Sequence, residues 1–535
     1  MDAAPQAAPA DAGHGFTFLG VVGSGAMGRG IAQLFAQAGI RTALHDSHPA
    51  ALAAATEAIM QTWDSLRDKG RLSADQVDRA RAMLQPVESL AALAGCDLVI
   101  EAISEDAAAK HSLFRALEAI LPAHAALASN TSSLSITALA SGLEQPQRLA
   151  GYHFFNPVPL MRIVEVVAGV GTAPGLPARL VRLAEAAGHR AVLCTDTPGF
   201  IVNHAGRGYG TEALRILAEN VAPVPVIDRI LREQVNFAGQ GFRLGPFELL
   251  DLTGLDVSHQ VMESIYHQYY QEPRFRPSVI TAQRKAAGLY GRKSGQGFYA
   301  YREGKKAEAH WPWTDAVHKA GDGDEVSDPP VWIAPMEAAQ PPAVLHELQH
   351  YLAQSGTQLV TTQHPPDNAL IILCPLGEDA SAMATRLGVD ARRAVAIDTL
   401  FPFGWQRCKL RSLMTTPASA PLAHKQACRL FSRDGAAVAL LSDSPGFVTQ
   451  RVVAMIIAIA CDMAQQAIAR PHDIDDAVRI GLAYPLGPLS MGDALGAARI
   501  CALLGGLHAC TGDPRYRPSA WLRRRADLGL SLLHA

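Results

Sequence analysis

Three motifs of this chain occur twice, at nearly the same separation. Thr195-Asp-Thr-Pro-Gly-Phe-Ile-Val-Asn203 returns as Ser442-Asp-Ser-Pro-Gly-Phe-Val-Thr-Gln450. Leu244-Gly-Pro-Phe247 returns as Leu486-Gly-Pro-Leu489, and Pro273-Arg-Phe-Arg-Pro277 as Pro514-Arg-Tyr-Arg-Pro518. The offsets are 247, 242 and 241 residues, and Asp251 and Gly254 are matched by Asp493 and Gly496. Near-constant spacing over separate motifs identifies a duplicated unit rather than chance agreement. Any fold for this chain must therefore accommodate two copies of one domain.

The 535 residues leave room for roughly three to four domains. Hydrophobic residues make up 49% and charged residues 18%, a globular composition. With 47 basic and 50 acidic residues the net charge is −3, which gives no footprint for nucleic acid. The eight cysteines include no CxxC pair, so neither a zinc site nor a disulfide framework is expected, and the protein reads as cytoplasmic. Met1 to Gly15 is rich in Ala, Pro and Gly and lacks a basic segment followed by an apolar core, so it reads as a flexible leader. Apolar runs such as Val452–Ala460 fall short of the ~20 residues a membrane span needs, so no membrane is expected as a partner.

Phe16–Val22 is a short apolar run ending in glycines, Met27–Gln37 has helical periodicity, and Arg41–His45 is a second strand pattern. Cys96–Ile103, Ala126–Ser129 and Arg148–Phe155 read as further strands, with a helix over Lys110–Ile120. Strands alternating with helices predict a doubly wound α/β domain. After Pro198 the pattern turns helical, beginning with a long run over Gly199–Asn220, and Glu303–Pro330 is polar and loop-like. The fold class is therefore α/β + α. The expected division is leader 1–15, nucleotide-binding domain 16–192, helical domain 193–305, linker 306–330, degenerate α/β segment 331–440 and second helical domain 441–535.

Gly23-Ser-Gly-Ala-Met-Gly28 fits G-x-G-x-x-G between a strand and a helix, with Asp46 about 20 residues on, the Rossmann pattern for a dinucleotide. Gly23 permits the turn, Gly25 lets a pyrophosphate approach, and Gly28 lets helix and strand close, with Met27 in the first helical turn. The helix start offers free N–H groups to phosphate. Asp46 suits ribose hydroxyls and repels a 2′-phosphate. Its neighbours His45, Ser47 and His48 include no arginine, so NAD is the expected cofactor.

If the expected NAD serves to oxidise an alcohol, the reaction needs a base for the hydroxyl proton while hydride leaves. Histidine suits that near neutral pH, with an anion to orient it. His153 and Glu165 lie in two apolar segments joined by a Pro157/Pro159 turn, so they are expected to face each other across adjacent strands.

Ala128-Ser-Asn-Thr-Ser-Ser-Leu134, Gly151-Tyr-His-Phe-Phe-Asn-Pro-Val-Pro-Leu-Met161, Ile163-Val-Glu-Val-Val167, Asp196–Asn203 and Gly288-Leu-Tyr-Gly-Arg-Lys-Ser-Gly-Gln-Gly-Phe298 resemble the signature of L-3-hydroxyacyl-CoA dehydrogenases. The resemblance spans about residues 16–302 closely and the second helical domain more loosely. It implies that His153 is the general acid/base and Glu165 its orienting partner. It further implies that Ser132 and Asn203 bind substrate, that Glu105 and Lys110 hold the nicotinamide ribose, and that Asn156 bridges cofactor and catalytic pair. Lys69 becomes a candidate for coenzyme A phosphates. The doubled helical domain resembles the phenylacetate-degradation branch, acting on 3-hydroxyadipyl-CoA, with 3-hydroxybutyryl-CoA as the alternative acyl-CoA substrate. Two other readings stay open: a dehydrogenase of free β-hydroxy acids, which typically uses a lysine base, and a relative that binds dinucleotide without turnover.

Registering the repeat through Pro157 and Pro402, 245 residues apart, places Asp398 at His153, Leu410 at Glu165 and Gln450 at Asn203. Val331–Ala338 reaches Pro341 and Pro342 without a glycine loop. The second half is therefore expected to be non-catalytic and to pack against the first helical domain. It would form an intrachain pseudo-dimer, in place of the partner that the resemblance implies for single-unit relatives, and homo-oligomers of the chain stay open.

Overall fold

The structure is a computed structural model and describes residues 13–307, 317–318 and 328–534. Most of the leader, 1–12, and most of the linker lie outside the described residues. The chain divides into two units: residues up to His204 joined by Gln466–Leu482, and Ala205–Gln465 joined by Ala483 onward.

The first unit is built on eight strands, β1 (Phe18–Val22), β2 (Arg41–His45), β3 (Leu84–Val87), β4 (Leu98–Glu101), β5 (Ala126–Ser129), β6 (Leu149–Phe154), β7 (Ile163–Ala168) and β8 (Arg190–Thr195). Their order is β3-β2-β1-β4-β5-β6-β7-β8. Every neighbouring pair is parallel except β6–β7, which is antiparallel. Parallel pairs need crossovers, supplied by helices α1 (Ala26–Gln37), α2 (Pro49–Asp68), α3 (Ala74–Met83), α4 (Ala107–Ile120), α5 (Ile136–Ala140) and α6 (Gly175–Ala186). The central strands are apolar throughout because helices cover both faces; Leu19, Val21, Leu98, Ile100, Tyr152 and Val164 share one core with Phe35 and Trp63. Strand β4 is shorter than the apolar run Cys96–Ile103 suggested. Asp97 is turned to Thr17 and Phe18, and Ile103 N–H is drawn off the ladder by the Glu101 carboxylate.

Gln466–Leu482 comes from the second repeat yet belongs to this unit. Thr195 N–H at the end of β8 donates to Ile468 C=O at 2.9 Å. Arg190, at the start of β8, holds Asp473 at 2.6 Å and Asp476 at 2.9 Å on the helix Pro471–Gly481.

The expected long helix over Gly199–Asn220 is instead two pieces, Val202–Ala205 and Arg207–Ala218. Gly199 and Phe200 take φ of 78° and 49°, so the chain turns before the helix starts.

In the second unit the first helical copy runs through Arg207–Ala218, Val224–Glu233, Pro246–Thr253, Leu255–Gln268 and Val279–Ala286. A hairpin of β9 (Tyr301–Arg302) and β10 (Lys305–Lys306) follows. A second sheet has the order β11-β17-β16-β15-β14-β12-β13. Its strands are β11 (Val317–His318), β12 (Val331–Ile333), β13 (Leu359–Val360), β14 (Leu370–Leu373), β15 (Ala394–Ile397), β16 (Leu410–Thr415) and β17 (Ala437–Leu441). Antiparallel β15–β16 repeats β6–β7. The repeat register is corrected here: Asp398 N–H donates to Ser412 C=O, so Ser412, not Leu410, faces the His153 equivalent. His153 and Glu165 are 12 residues apart and pair directly, whereas Asp398 and Ser412 are 14 apart, so the second connection is two residues longer.

The helix Val448–Gln465 is long and apolar enough to cross a membrane, but it is largely buried inside the protein. It packs along Arg207–Ala218, where Gly208 permits a close approach: a Cβ there would lie 3.1 Å from the Ile456 main chain.

Candidate active site

Strands β6 and β7 pair in the register His153↔Glu165, which puts the two side chains on one face. His153 Nδ1 lies 2.6 Å from Glu165 Oε2, and both residues are buried. The other carboxylate oxygen, Oε1, accepts the main-chain N–H groups of Ile201 at 2.9 Å and Val202 at 2.7 Å. These are free donors of a helix start, so the Gly199–Phe200 turn delivers them to the carboxylate and places Asn203 in the same turn, half-buried. Because a carboxylate flanked by N–H donors accepts, Nδ1 donates and Nε2 is the nitrogen left to take a proton. The imidazole lies near the rings of Phe155, 4.4 Å away between centroids, and Phe200, 5.8 Å away.

A second cluster forms where β4 and β5 end. Glu105 Oε1 accepts from Thr131 Oγ1 at 2.6 Å, Ser132 N–H at 2.9 Å, Ser133 Oγ at 2.9 Å and Ser133 N–H at 3.1 Å. Burial works to raise the Glu105 pKa, but the Thr131 hydroxyl, Lys110 and the serine donors outweigh it and hold the carboxyl below its ordinary range. Ser132 Oγ is 3.3 Å from the same oxygen. Lys110 is 1% exposed and lies 2.5 Å from Glu101 Oε1 and 3.3 Å from Glu105 Oε2. Glu101 also accepts from Ser129 Oγ at 2.6 Å. Glu101 was not singled out in the sequence, although a carboxylate closing an apolar strand nine residues before a lysine is a legible signal for a buried pair.

The glycine turn has the geometry a dinucleotide needs. Gly23 has φ of 100°, and a Cβ on it would meet Ala102 O at 2.5 Å. A Cβ on Gly28 would lie 1.8 Å from Gly23 O, so only glycine lets helix and strand meet there. A Cβ on Gly25 would meet nothing within 4 Å, which leaves the pyrophosphate side open. Helix α1 has no acidic residue in its first turn, where Met27 is half-buried. Asp46, at the end of β2, accepts from Ser24 N–H and Oγ at 2.8 Å and from His48 N–H at 2.9 Å. Burial would raise its pKa, and the His48 and Ser24 donors more than reverse that. These residues fit NAD. Gly30, also unremarked in the sequence, lets α1 close on the Pro157–Pro159 turn: a Cβ would come within 2.9 Å of Val158.

Asn156 is exposed on that turn and makes no hydrogen bond to the pair. Lys69 stands exposed at the C-terminal end of α2 and joins none of the other candidates. In the second half, the replacements form a sealed polar knot. Asp398 accepts from Gln234 Nε2 at 2.9 Å, from Thr449 Oγ1 and from Gln450 Nε2 at 3.3 Å. Gln450 in turn holds Gly377 N–H at 3.0 Å. Burial pushes the Asp398 carboxyl up. Asp398 and Ser412 thus stand where His153 and Glu165 stand in the first half.

Comparison with known proteins accords with this geometry. Residues 18–197 match the model of the 3-hydroxyacyl-CoA dehydrogenase NAD binding domain, and residues 199–301 and 446–531 both match that of the 3-hydroxyacyl-CoA dehydrogenase C-terminal domain. The chain is 38% identical over 510 residues to a 3-hydroxyadipyl-CoA dehydrogenase of Escherichia coli K12, covering 95% of this chain and 97% of that one. It is 38% identical over 283 residues to a probable 3-hydroxybutyryl-CoA dehydrogenase of Deinococcus radiodurans, covering 53% of this chain and 99% of the other. A crystal structure titled 3-hydroxybutyryl-CoA dehydrogenase from E. coli K12 superposes with a TM-score of 0.80 at 36% identity, covering 96% and 98% of the two chains. The chain belongs to the 3-hydroxyacyl-CoA dehydrogenase family, with the C-terminal domain of that family present twice.

Proposed function

We propose that this enzyme oxidises the 3-hydroxyl of an (S)-3-hydroxyacyl-CoA to the 3-oxo compound, with 3-hydroxyadipyl-CoA as the preferred acyl group. The carrying observation is the buried His153–Glu165 pair, with Nδ1 engaged at 2.6 Å and Nε2 available as base. NAD, when bound, supplies the hydride acceptor. Gly23, Gly25 and Gly28 with the α1 start would hold its pyrophosphate, Asp46 the adenosine ribose, and Glu105 and Lys110 the nicotinamide ribose. Met27 would line the same pocket.

His153 Nε2 takes the hydroxyl proton. Glu165, fixed by the Ile201 and Val202 N–H groups, stabilises the imidazolium that forms. Ser132 and Asn203 would orient the hydroxyl and the thioester carbonyl, Asn156 would bridge from the exposed turn, and Lys69 would meet coenzyme A phosphate. None of the eight cysteines is in a disulfide, which suits a reducing cytoplasm.

The acyl preference rests on the full-length likeness to the 3-hydroxyadipyl-CoA dehydrogenase, of which this chain covers 97%. The likeness to the structure titled 3-hydroxybutyryl-CoA dehydrogenase favours a second reading, turnover of the four-carbon substrate. Reduced-cofactor absorbance should be followed with NAD and each of the two 3-hydroxyacyl-CoA substrates, beside His153→Ala. A higher kcat/KM for the adipyl substrate, lost by about 10²–10⁴-fold in the variant, is expected. A higher value for the butyryl substrate moves the assignment to the second reading. Tight NAD binding without turnover of either overturns the acyl-CoA reading in favour of a free-acid dehydrogenase or a non-catalytic relative.

A further inference from the structure

We infer that the helix Pro471–Gly481, contributed by the second repeat, holds the Glu165 end of the catalytic pair in place, with Gly481 as the positioning residue. The inference rests on the dehydrogenase reading above, since it concerns the alignment of that pair.

Glu165 is held by β7 beneath it and by the Ile201 and Val202 N–H groups that meet Oε1. Gly481 faces a side chain from each support. A Cβ at Gly481 would lie 3.0 and 3.1 Å from the two methyls of Val202, and 3.7 Å from Ile163 Cγ2 at the start of β7. Val202 and Ile163 are both buried, so neither can swing aside into solvent. The helix cannot drift away from them either. Arg190, which pairs with Ile163 across β7 and β8, grips Asp473 and Asp476, and Ile468 C=O holds Thr195 N–H at the far end of β8. Asp473 is 2% exposed, so this is an anchored contact rather than a surface ion pair.

Glycine is ordinarily a weak residue within a helix, and alanine there normally stabilises. Its use at Gly481 is explained by the close approach to Val202. The second repeat has lost its own pair but retains this helix, which the first unit uses as part of its catalytic scaffold. A methyl group at position 481 would press on Val202 and shift its N–H relative to Glu165, and a positioned base must be held to within about 0.5 Å.

The test is a set of three variants of the full chain: Gly481→Ala, Val202→Ala and the two combined. Each is assayed with 3-hydroxyadipyl-CoA for kcat and substrate KM, and its NAD Kd and Tm are measured alongside. Gly481→Ala is expected to lower kcat by about tenfold, with NAD Kd and substrate KM within about twofold and Tm not lowered. The double variant, which removes the methyls that the new Cβ meets, is expected to recover kcat to the level of Val202→Ala alone. Wild-type kcat in Gly481→Ala overturns the inference. So does a loss that follows a fall in Tm and is not recovered by Val202→Ala. If the wild-type protein binds NAD but turns over no 3-hydroxyacyl-CoA, the functional reading itself fails and takes this inference with it.

Discussion

Arg274 and Arg515 occupy the same place in the two copies of the Pro-Arg-aromatic-Arg-Pro motif, and each donates to the main chain of the other's copy. Arg274 Nε reaches Arg515 C=O at 2.9 Å, and Arg515 Nη2 reaches Pro273 C=O at 3.2 Å. Reciprocal contacts between equivalent residues are the mark of a two-fold interface, here formed inside one chain and one unit. The same seam buries Glu212, which accepts from Arg451 Nε at 2.8 Å and Tyr516 OH at 2.6 Å. The expected packing of the second helical copy on the first is thereby given a residue-level basis.

Arg451→Ala should be strongly destabilising. Arg451 is 2% exposed, and its removal leaves Glu212, fully buried, without its main cation. Breaking one side of a buried pair costs about 3–5 kcal/mol. Chemical denaturation should show the loss, and Glu212→Gln combined with Arg451→Met should recover part of it. Stability equal to wild type in Arg451→Ala would mean that the seam does not depend on this pair.

Glu165→Gln should leave the fold intact and remove most of the activity. An amide can still accept from Ile201 or Val202, but its NH2 facing His153 favours the tautomer with hydrogen on Nε2, which cannot take the substrate proton. The expected fall in kcat is about 10²–10⁴-fold, with NAD affinity within about twofold. Activity within about tenfold of wild type would reassign the proton acceptor.

Stability should fall on mild acidification because of His189. Its pKa is lowered first by burial and then by the Arg162 charge, against the Val158 and Ala187 carbonyls that favour protonation. The unfolded chain takes up the proton near about 6.5, the folded chain only at lower pH. The stabilising contribution is thus complete above about 6.5 and is lost as pH falls through the folded value. His189→Gln should flatten the dependence of Tm on pH in that window. An unchanged slope would mean that His189 is not the group responsible.

Cofactor choice should respond to the end of β2. Asp46 stands by the glycine turn with Ser47 and the exposed His48 beside it. Replacing Asp46 by Ser and Ser47 by Arg removes the repulsion of a 2′-phosphate and adds a guanidinium suited to it. The ratio of kcat/KM for NADP to that for NAD should rise by about tenfold or more, since a single charge-assisted contact supplies about 1.5–3 kcal/mol. No rise would remove Asp46 from the ribose site.

Much of the arrangement of the candidate site was readable in the chain because it is local. The turn Gly23–Gly28 and the pairing of His153 with Glu165 follow from residues brought together by one strand–helix unit and one strand pair. Other features escaped sequence reasoning because their partners come from distant segments. Glu101 gains its role only when β4, β5 and α4 converge on Lys110 and Ser129. The Ile201 and Val202 N–H groups carry no side-chain signature at all. Ser412, rather than Leu410, facing Asp398 depended on a connection two residues longer, which a constant offset could not reveal.

By itself the sequence determined the duplication, the doubly wound sheet, the glycine turn and the replacement of the His153 and Glu165 positions in the second half, because periodicity and motif spacing act over a few residues to a few tens of residues. Only the tertiary structure decided that Gln466–Leu482 leaves its own repeat to join the first unit, where Gly481 meets Val202. That choice depends on shape and charge matching between segments almost 280 residues apart, the close fit of a bare Cα against buried methyls and the grip of Arg190 on two aspartates, and no local pattern encodes it.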